Sequence, residues 1–298
     1  MNIAPAKIPF LEAETEIRPG CPAILGVPYD KTASFRKGTR NGPDAIREVS
    51  AAAIETYSPI QDKDLEDIVY ADIGNLDVDN EDTPESVVEA LKLAVDKIYE
   101  KEALPIILGG EHSISPGAIQ AAFQRHPDLV VLQFDAHADL RESYEGTRNS
   151  HACAMRRTLD FLPSERLLQV GIRSGTKEEY QELKKSGRCL PADAVILGER
   201  LASDDLSSCP IYITFDIDLF DPSEVPGTGT PEAGGIRWDD FESLRKPLEG
   251  RNIVGLDIVE LSPELDPTGI SSALAAKMLR EWLLTVSLPS FTRIGTSA

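Results

Sequence analysis

A chain of 298 residues can hold one large α/β domain with a substantial core. Its formal net charge of −20 argues against nucleic acid and acidic membrane surfaces as partners, and mildly favours a cationic ligand. No apolar run reaches the roughly 18 residues that span a bilayer, and Glu12, Glu14 and Glu16 interrupt any export signal, so a cytoplasmic location is expected. Cys21, Cys153, Cys189 and Cys209 form no CxxC motif and are expected as reduced thiols.

An apolar run at 23–27 reads as the first strand, and Ile68-Val69-Tyr70 as the next. Thr83 then reads as a helix N-cap with Pro84 at the first helical position. Val87, Val88, Leu91, Ala94, Val95 and Ile98 follow on one stripe. A strand at 106–108 precedes a helix that opens at Ser115-Pro116 and ends near Arg125, before Pro127. Further strands are expected at 129–134, 167–172, 211–215 and 253–259. A last helix, roughly 270–286, carries Leu274, Met278, Leu279, Trp282 and Leu283. This alternation predicts a three-layer sandwich, a mostly parallel central sheet with helices on both faces, with a (β/α)₈ barrel as the alternative. Without repeats, low-complexity tracts or Ser/Gly linkers, residues 1–298 read as a single domain.

Three strand ends carry candidate chemistry. His112 follows the 106–108 run, Asp135-Ala136-His137-Ala138-Asp139 follows 129–134, and Asp216-Ile217-Asp218 follows 211–215. A single Asp after a strand is more often a turn or helix cap. Three groups at equivalent strand ends are not explained that way, because open parallel sheets bind ligands beyond their carboxyl edges. Four carboxylates and two imidazoles are too many for one ordinary ion and suit two divalent ions sharing bridging carboxylates. Oxygen-rich ligation with some nitrogen and no thiolate favours Mn²⁺, with Ni²⁺, Co²⁺ or Fe²⁺ as alternatives, over structural zinc. Two such ions would balance the four aspartates and lower the pKa of water toward roughly 7, which points to metal-assisted hydrolysis. His126, in Arg125-His126-Pro127, reads as a solvated helix-terminal residue.

Gly109-Gly110-Glu111-His112-Ser113, Phe134-Asp135-Ala136-His137-Ala138-Asp139 and Thr214-Phe215-Asp216-Ile217-Asp218 resemble the three signatures of the ureohydrolase (arginase/agmatinase) family. The third continues as Leu219-Phe220-Asp221-Pro222, and the resemblance runs from about Gly26 to the last helix. Members hydrolyse guanidino groups to urea and an amine. The resemblance implies an arginase-like fold and a homo-oligomer, either a trimer or a hexamer. It implies that His112, Asp135, Asp139 and Asp216 hold one manganese, and that His137, Asp218, Asp135 and Asp216 hold the other. It further implies that His151 is the active-site histidine beside the metals and that Glu260 grips the guanidinium. These roles suit the chemistry, since a carboxylate can accept the paired N–H donors of a planar guanidinium. The departing amine needs a proton, which Asp139 and His151 could relay.

Gly26-Val27-Pro28-Tyr29-Asp30, Ser34-Phe35-Arg36 and Pro226-Gly227-Thr228-Gly229-Thr230-Pro231-Glu232 resemble the agmatinase branch, whereas Lys31-Thr32, Lys37 and Ala233 depart from it. Of the near cations Arg141, Arg156 and Arg157, none can be assigned to a substrate carboxylate, so agmatine is expected over arginine. The alternatives are guanidinobutyrate, guanidine or arginine as substrate, or a non-catalytic metal-binding relative. A two-metal phosphate-ester hydrolase is disfavoured, because such sites add Arg, Lys or a helix N-terminus for the anion.

Overall fold

In a computed structural model that describes residues 2–78 and 83–286, nine strands pair into one open sheet. In chain order they are β1 (Ile3–Ala4), β2 (Pro22–Val27), β3 (Ala71–Leu76), β4 (Leu104–Gly109), β5 (Val130–Phe134), β6 (Leu167–Val170), β7 (Cys189–Leu190), β8 (Ile211–Asp216) and β9 (Ile253–Val259). Their spatial order is β1-β3-β2-β4-β9-β8-β5-β6-β7, parallel throughout except for the β1–β3 pair. Strands β4, β9, β8 and β5 are therefore neighbours in the middle of the sheet, and their carboxyl ends lie along one edge. An open sheet with two edge strands excludes the barrel alternative.

Successive residues on the central strands face opposite sides, as the period of two requires. Ile106, Leu132 and Ile213 join one apolar core, whereas Ile107, Val131 and Tyr212 join the other. Helices α1 (Gly42–Ala53), α6 (Ala194–Leu201), α7 (Trp238–Arg245) and α8 (Ile270–Val286) close the first core. There Phe215 lies 5.4 Å from Phe134 and edge-on to Phe241 and Trp282. Helices α2 (Pro84–Glu100), α3 (Ser115–Arg125), α4 (Ala154–Thr158) and α5 (Lys177–Ser186) close the second. Burial on both faces explains why the central strands read as continuous apolar runs. Among the described residues no helix is long and apolar enough to cross a membrane.

The three helices expected from the sequence all form, and Thr83 caps α2 by accepting a hydrogen bond from the Ser86 amide. One strand was misplaced. Ile68-Val69-Tyr70 precedes β3, which begins at Ala71 and carries Asp72 and Asn75. Those polar residues disguise the strand because their partner is remote in sequence. Arg47 of α1 donates from Nε to Asp72 Oδ2 at 2.7 Å and from Nη1 to Asn75 Oδ1 at 2.6 Å. Helix α5 was missed because its exposed surface is charged and few of its residues are buried. Its reciprocal Thr176–Glu179 capping box was the available signal.

Candidate metal centre

The Asp-x-His and Asp-x-Asp spacings fold alike. Asp135 Oδ1 accepts from the His137 amide at 2.6 Å, and Asp216 Oδ1 accepts from the Asp218 amide at 2.8 Å. Each aspartate thus turns the chain with one oxygen, as Asx turns do, and keeps Oδ2 for the space between the strands. Capping and ligation are compatible here because a carboxylate oxygen has more than one acceptor direction, so Asp135 Oδ1 can take the turn amide and still face the neighbouring His137 ring. His112 enters from the turn at His112–Ile114 that leads into α3. Its approach depends on Gly110, where a Cβ would collide with the backbone of Tyr29.

These side chains converge. His112 Nδ1 lies 3.1 Å from Asp135 Oδ2, 3.1 Å from Asp139 Oδ2 and 3.4 Å from Asp216 Oδ2. His137 Nδ1 lies 2.8 Å from Asp218 Oδ2 and 3.8 Å from Asp135 Oδ1. Two groups therefore offer ligand atoms close enough to hold an ion, His112–Asp135–Asp139 and Asp135–His137–Asp218. Asp135 belongs to both, presenting Oδ2 to one and Oδ1 to the other. Asp216 reaches the first group through its contact with His112.

The donor set fits cations on electrostatic grounds. Thr214 donates its one hydroxyl proton to Asp257 Oδ1 at 2.6 Å, so it accepts from His112 Nε2 at 2.8 Å. That leaves the Nδ1 lone pair aimed at carboxylate oxygens, and buried His112 Nδ1 and Asp218 Oδ2 both lack a hydrogen-bond partner. Unpaired polar atoms are costly in a low-dielectric interior, and a cation in each ligand group would remove the cost. Without one, burial and the neighbouring Asp139 and Asp218 charges raise the Asp135 carboxyl well above the usual carboxylate range. Burial alone would lower the His112 pKa, but the adjoining Asp135, Asp139 and Asp216 raise it instead.

A cavity of about 240 Å³ opens over this cluster and is also lined by Ser34, Arg141, Tyr144, His151, Glu179 and Glu260. Glu260 follows β9, and its Oε1 accepts from the His112 amide at 2.8 Å, so a single contact ties this carboxylate to the metal-facing turn. His151 stands at the start of a short turn before α4, with Nδ1 donating to the Thr32 carbonyl at 2.9 Å. Its Nε2 lies 3.3 Å from Ser34 Oγ, and its ring meets Tyr144 edge-on. Burial lowers the His151 pKa, which favours the neutral ring. Asp139 and Glu260 both adopt left-handed backbone, with φ of 53° and 68°. Such residues cost on the order of 1–3 kcal/mol and persist only where the surroundings hold them. His126 follows α3 away from this cavity, and its ring packs edge-on against Tyr99.

Several supporting residues stand outside the ligand set that the sequence points to. Thr214 and Asp257 orient His112, and Tyr212 donates to Asp257 Oδ2 at 2.9 Å. A buried acid in the middle of the apolar β9 run was a usable signal for Asp257. Glu111 accepts from the Thr32 amide at 2.7 Å and from its hydroxyl, which steadies the loop that carries the His151 acceptor. Arg141 does reach the cavity, but its guanidinium stacks 4.6 Å from the Tyr144 ring centroid and its Nε lies 3.9 Å from Glu179 Oε2.

Carboxylates and imidazoles gathered at the carboxyl edge of a doubly covered parallel sheet define the class of metal-dependent hydrolases that the motifs had suggested. Within that class the chain belongs to the arginase family, whose model matches residues 22–285. It is therefore a ureohydrolase, an enzyme acting on a guanidino C–N bond. It is 37% identical over 277 residues to an agmatinase of Halalkalibacterium halodurans, covering 92% of this chain and 95% of that one. It is 40% identical over 263 residues to the N(1)-aminopropylagmatine ureohydrolase of Thermococcus kodakarensis, covering 84% and 86%. The crystal structure of agmatine ureohydrolase of Thermoplasma volcanium superposes with a TM-score of 0.77 at 33% identity, covering 96% of this chain and 93% of that one.

Proposed function

We propose that this chain hydrolyses agmatine to putrescine and urea with two manganese ions. His112, Asp135, Asp139 and Asp216 would hold one ion, and His137, Asp218, Asp135 and Asp216 the other. Bound there, the ions supply Lewis acidity and lower the pKa of water toward neutrality. The observation that carries the reading is Glu260, a carboxylate in the same cavity as the cluster, fixed through Oε1 to the His112 amide. Oε2 can then accept from the guanidinium and hold its carbon near the ions, which provides the positioning that a resonance-stabilised centre needs. With Nδ1–H committed to Thr32, His151 presents Nε2 to the cavity as a site that takes or returns a proton. Asp139, which lines the same cavity beside His112, is the carboxylate that would pass that proton toward the departing amine.

Agmatine has no carboxylate, and among the described residues lining the cavity the one arginine, Arg141, is already stacked on Tyr144 and faces Glu179. The names of the relatives support the same substrate class. We read residues 1–298 as one catalytic unit in a cytoplasmic homo-oligomer, a trimer or hexamer, which light scattering would size. The deciding experiment measures urea release from agmatine, N(1)-aminopropylagmatine, guanidinobutyrate, guanidine and arginine at matched Mn²⁺. Agmatine should exceed arginine at least tenfold in kcat/KM, roughly 1.4 kcal/mol of discrimination. Faster turnover of any other compound in that panel would replace agmatine as the substrate.

A further inference from the structure

A line of buried amides runs from the candidate bridging carboxylate to the edge of the sheet. Gln133 of β5 and Gln169 of β6 are direct partners in the parallel register, and both are 0% exposed. Gln133 Nε2 donates to Asp135 Oδ2 at 2.6 Å and to the His137 carbonyl at 3.2 Å. Its own oxygen accepts from Gln169 Nε2 at 2.5 Å, and that same nitrogen donates to the Ala138 carbonyl at 2.9 Å. The Gln169 oxygen accepts from Arg188 Nε at 2.9 Å. Arg188, just before β7, is 4% exposed and is held by Glu182 Oε1 at 2.6 Å.

The ends of this line fix its direction. An arginine can only donate, and an ionised carboxylate can only accept. Turning over Gln169 would set its NH₂ against the Arg188 N–H, and turning over Gln133 would set its oxygen against Asp135 Oδ2. Either arrangement leaves buried like dipoles face to face. Both amides also donate into the metal-motif turn, at the His137 and Ala138 carbonyls, so the line holds the backbone of 137–138 as well as the carboxylate.

We propose that Gln133 and Gln169, oriented by Arg188, are positioning residues that hold Asp135 Oδ2 for the ion on the His112 side. Asp135 is shared by both candidate ion groups, so a loosened carboxylate weakens both. The proposal rests on the reading of Asp135 as a metal ligand. Outer-shell partners of metal ligands are typically worth about 10- to 100-fold in affinity, and that is the loss expected for Gln133→Met. Gln169→Met should fall in the same direction by a smaller factor, because Gln133 keeps its donors and loses only its orientation.

The test titrates Mn²⁺ into chelator-stripped protein by calorimetry, with the melting temperature of the metal-free protein measured alongside. Arg188→Lys keeps a donor-only end for the Gln169 oxygen, so it should lose clearly less affinity than Arg188→Met, which should lose about tenfold. Metal-free melting temperatures of Arg188→Lys and Arg188→Met should track each other more closely than their affinities do. The arginine pair lies at the sheet edge and carries the test even if Gln133→Met does not fold. Equal affinities for Arg188→Met and wild type, or equal losses for Arg188→Met and Arg188→Lys, overturn the inference. Wild-type protein that binds no Mn²⁺ overturns the metal reading beneath it, so the two failures are distinct.

Discussion

Replacing Glu260 by Gln tests the substrate-gripping role with the least disturbance of shape. Glu260 Oε1 accepts from the His112 amide at 2.8 Å, so the variant's amide oxygen must take that place, since NH₂ there would face a donor. The NH₂ is thereby directed toward the position proposed for Oε2, where it meets the N–H groups of a guanidinium. The contact changes from a charge-assisted hydrogen bond to a donor–donor clash. Hydrogen bonds to charged groups contribute about 1.5–3 kcal/mol, which corresponds to roughly 10- to 150-fold. Lost attraction and added repulsion together place the expected fall in kcat/KM at or above about a hundredfold, 2.7 kcal/mol. The assay is urea release at several agmatine concentrations, with metal content per chain determined on the same samples. Metal content should stay near wild type because the oxygen facing His112 is retained. Near-normal kinetics at normal metal content would refute the reasoning and move guanidinium binding elsewhere in the cavity.

Asp135→Ala should lose both ions, because Asp135 belongs to both ligand groups, whereas His137→Ala should keep the ion on the His112 side. Elemental analysis after gel filtration distinguishes them, and full metal content in Asp135→Ala would rule out a shared carboxylate. Far from the cavity, Asp72→Ala removes the 2.7 Å charge partner of Arg47, whose side chain is 1% exposed, and leaves it the 3.3 Å pair with the exposed Asp44. Breaking a buried pair from one side costs up to about 3–5 kcal/mol, and the surviving Asp44 contact places the loss at or below the lower end, which denaturant unfolding would register as a lower midpoint.

The candidate ligands were legible because they stand where apolar strands stop. There the change from buried aliphatics to Asp and His is abrupt, and a spacing of two places both side chains at the same centre. Residues that support the ligands were harder to read because they sit inside strands, where a single polar letter resembles noise. Gln133, Thr214 and Asp257 find their partners across the sheet, and only the register brings those partners together. The misread start of β3 has the same origin, since Asp72 is explained by Arg47, which lies 25 residues earlier on a helix. Helix positions followed local caps and stripes, so α2, α3 and α8 were found, whereas α5 has too few buried residues to form a stripe.

The hydrogen bond from the His112 amide to Glu260 joins residues 148 positions apart. Around it, β4, β9, β8 and β5 are adjacent in space but are delivered by the chain over more than half its length. The proposed ligand set would therefore be incomplete until β8 has inserted between β9 and β5, and a folding unit without β8 would lack Asp216 and Asp218. Loop-closure entropy makes such long-range pairing slow, so on the proposed ligand assignment metal loading would come at the end of folding. Ions that bind only the assembled sheet would then act as a late clasp on its centre, adding about 2.7 kcal/mol at a free concentration one hundred times Kd. Availability of the metal would then set the stability of the finished sheet as well as turnover.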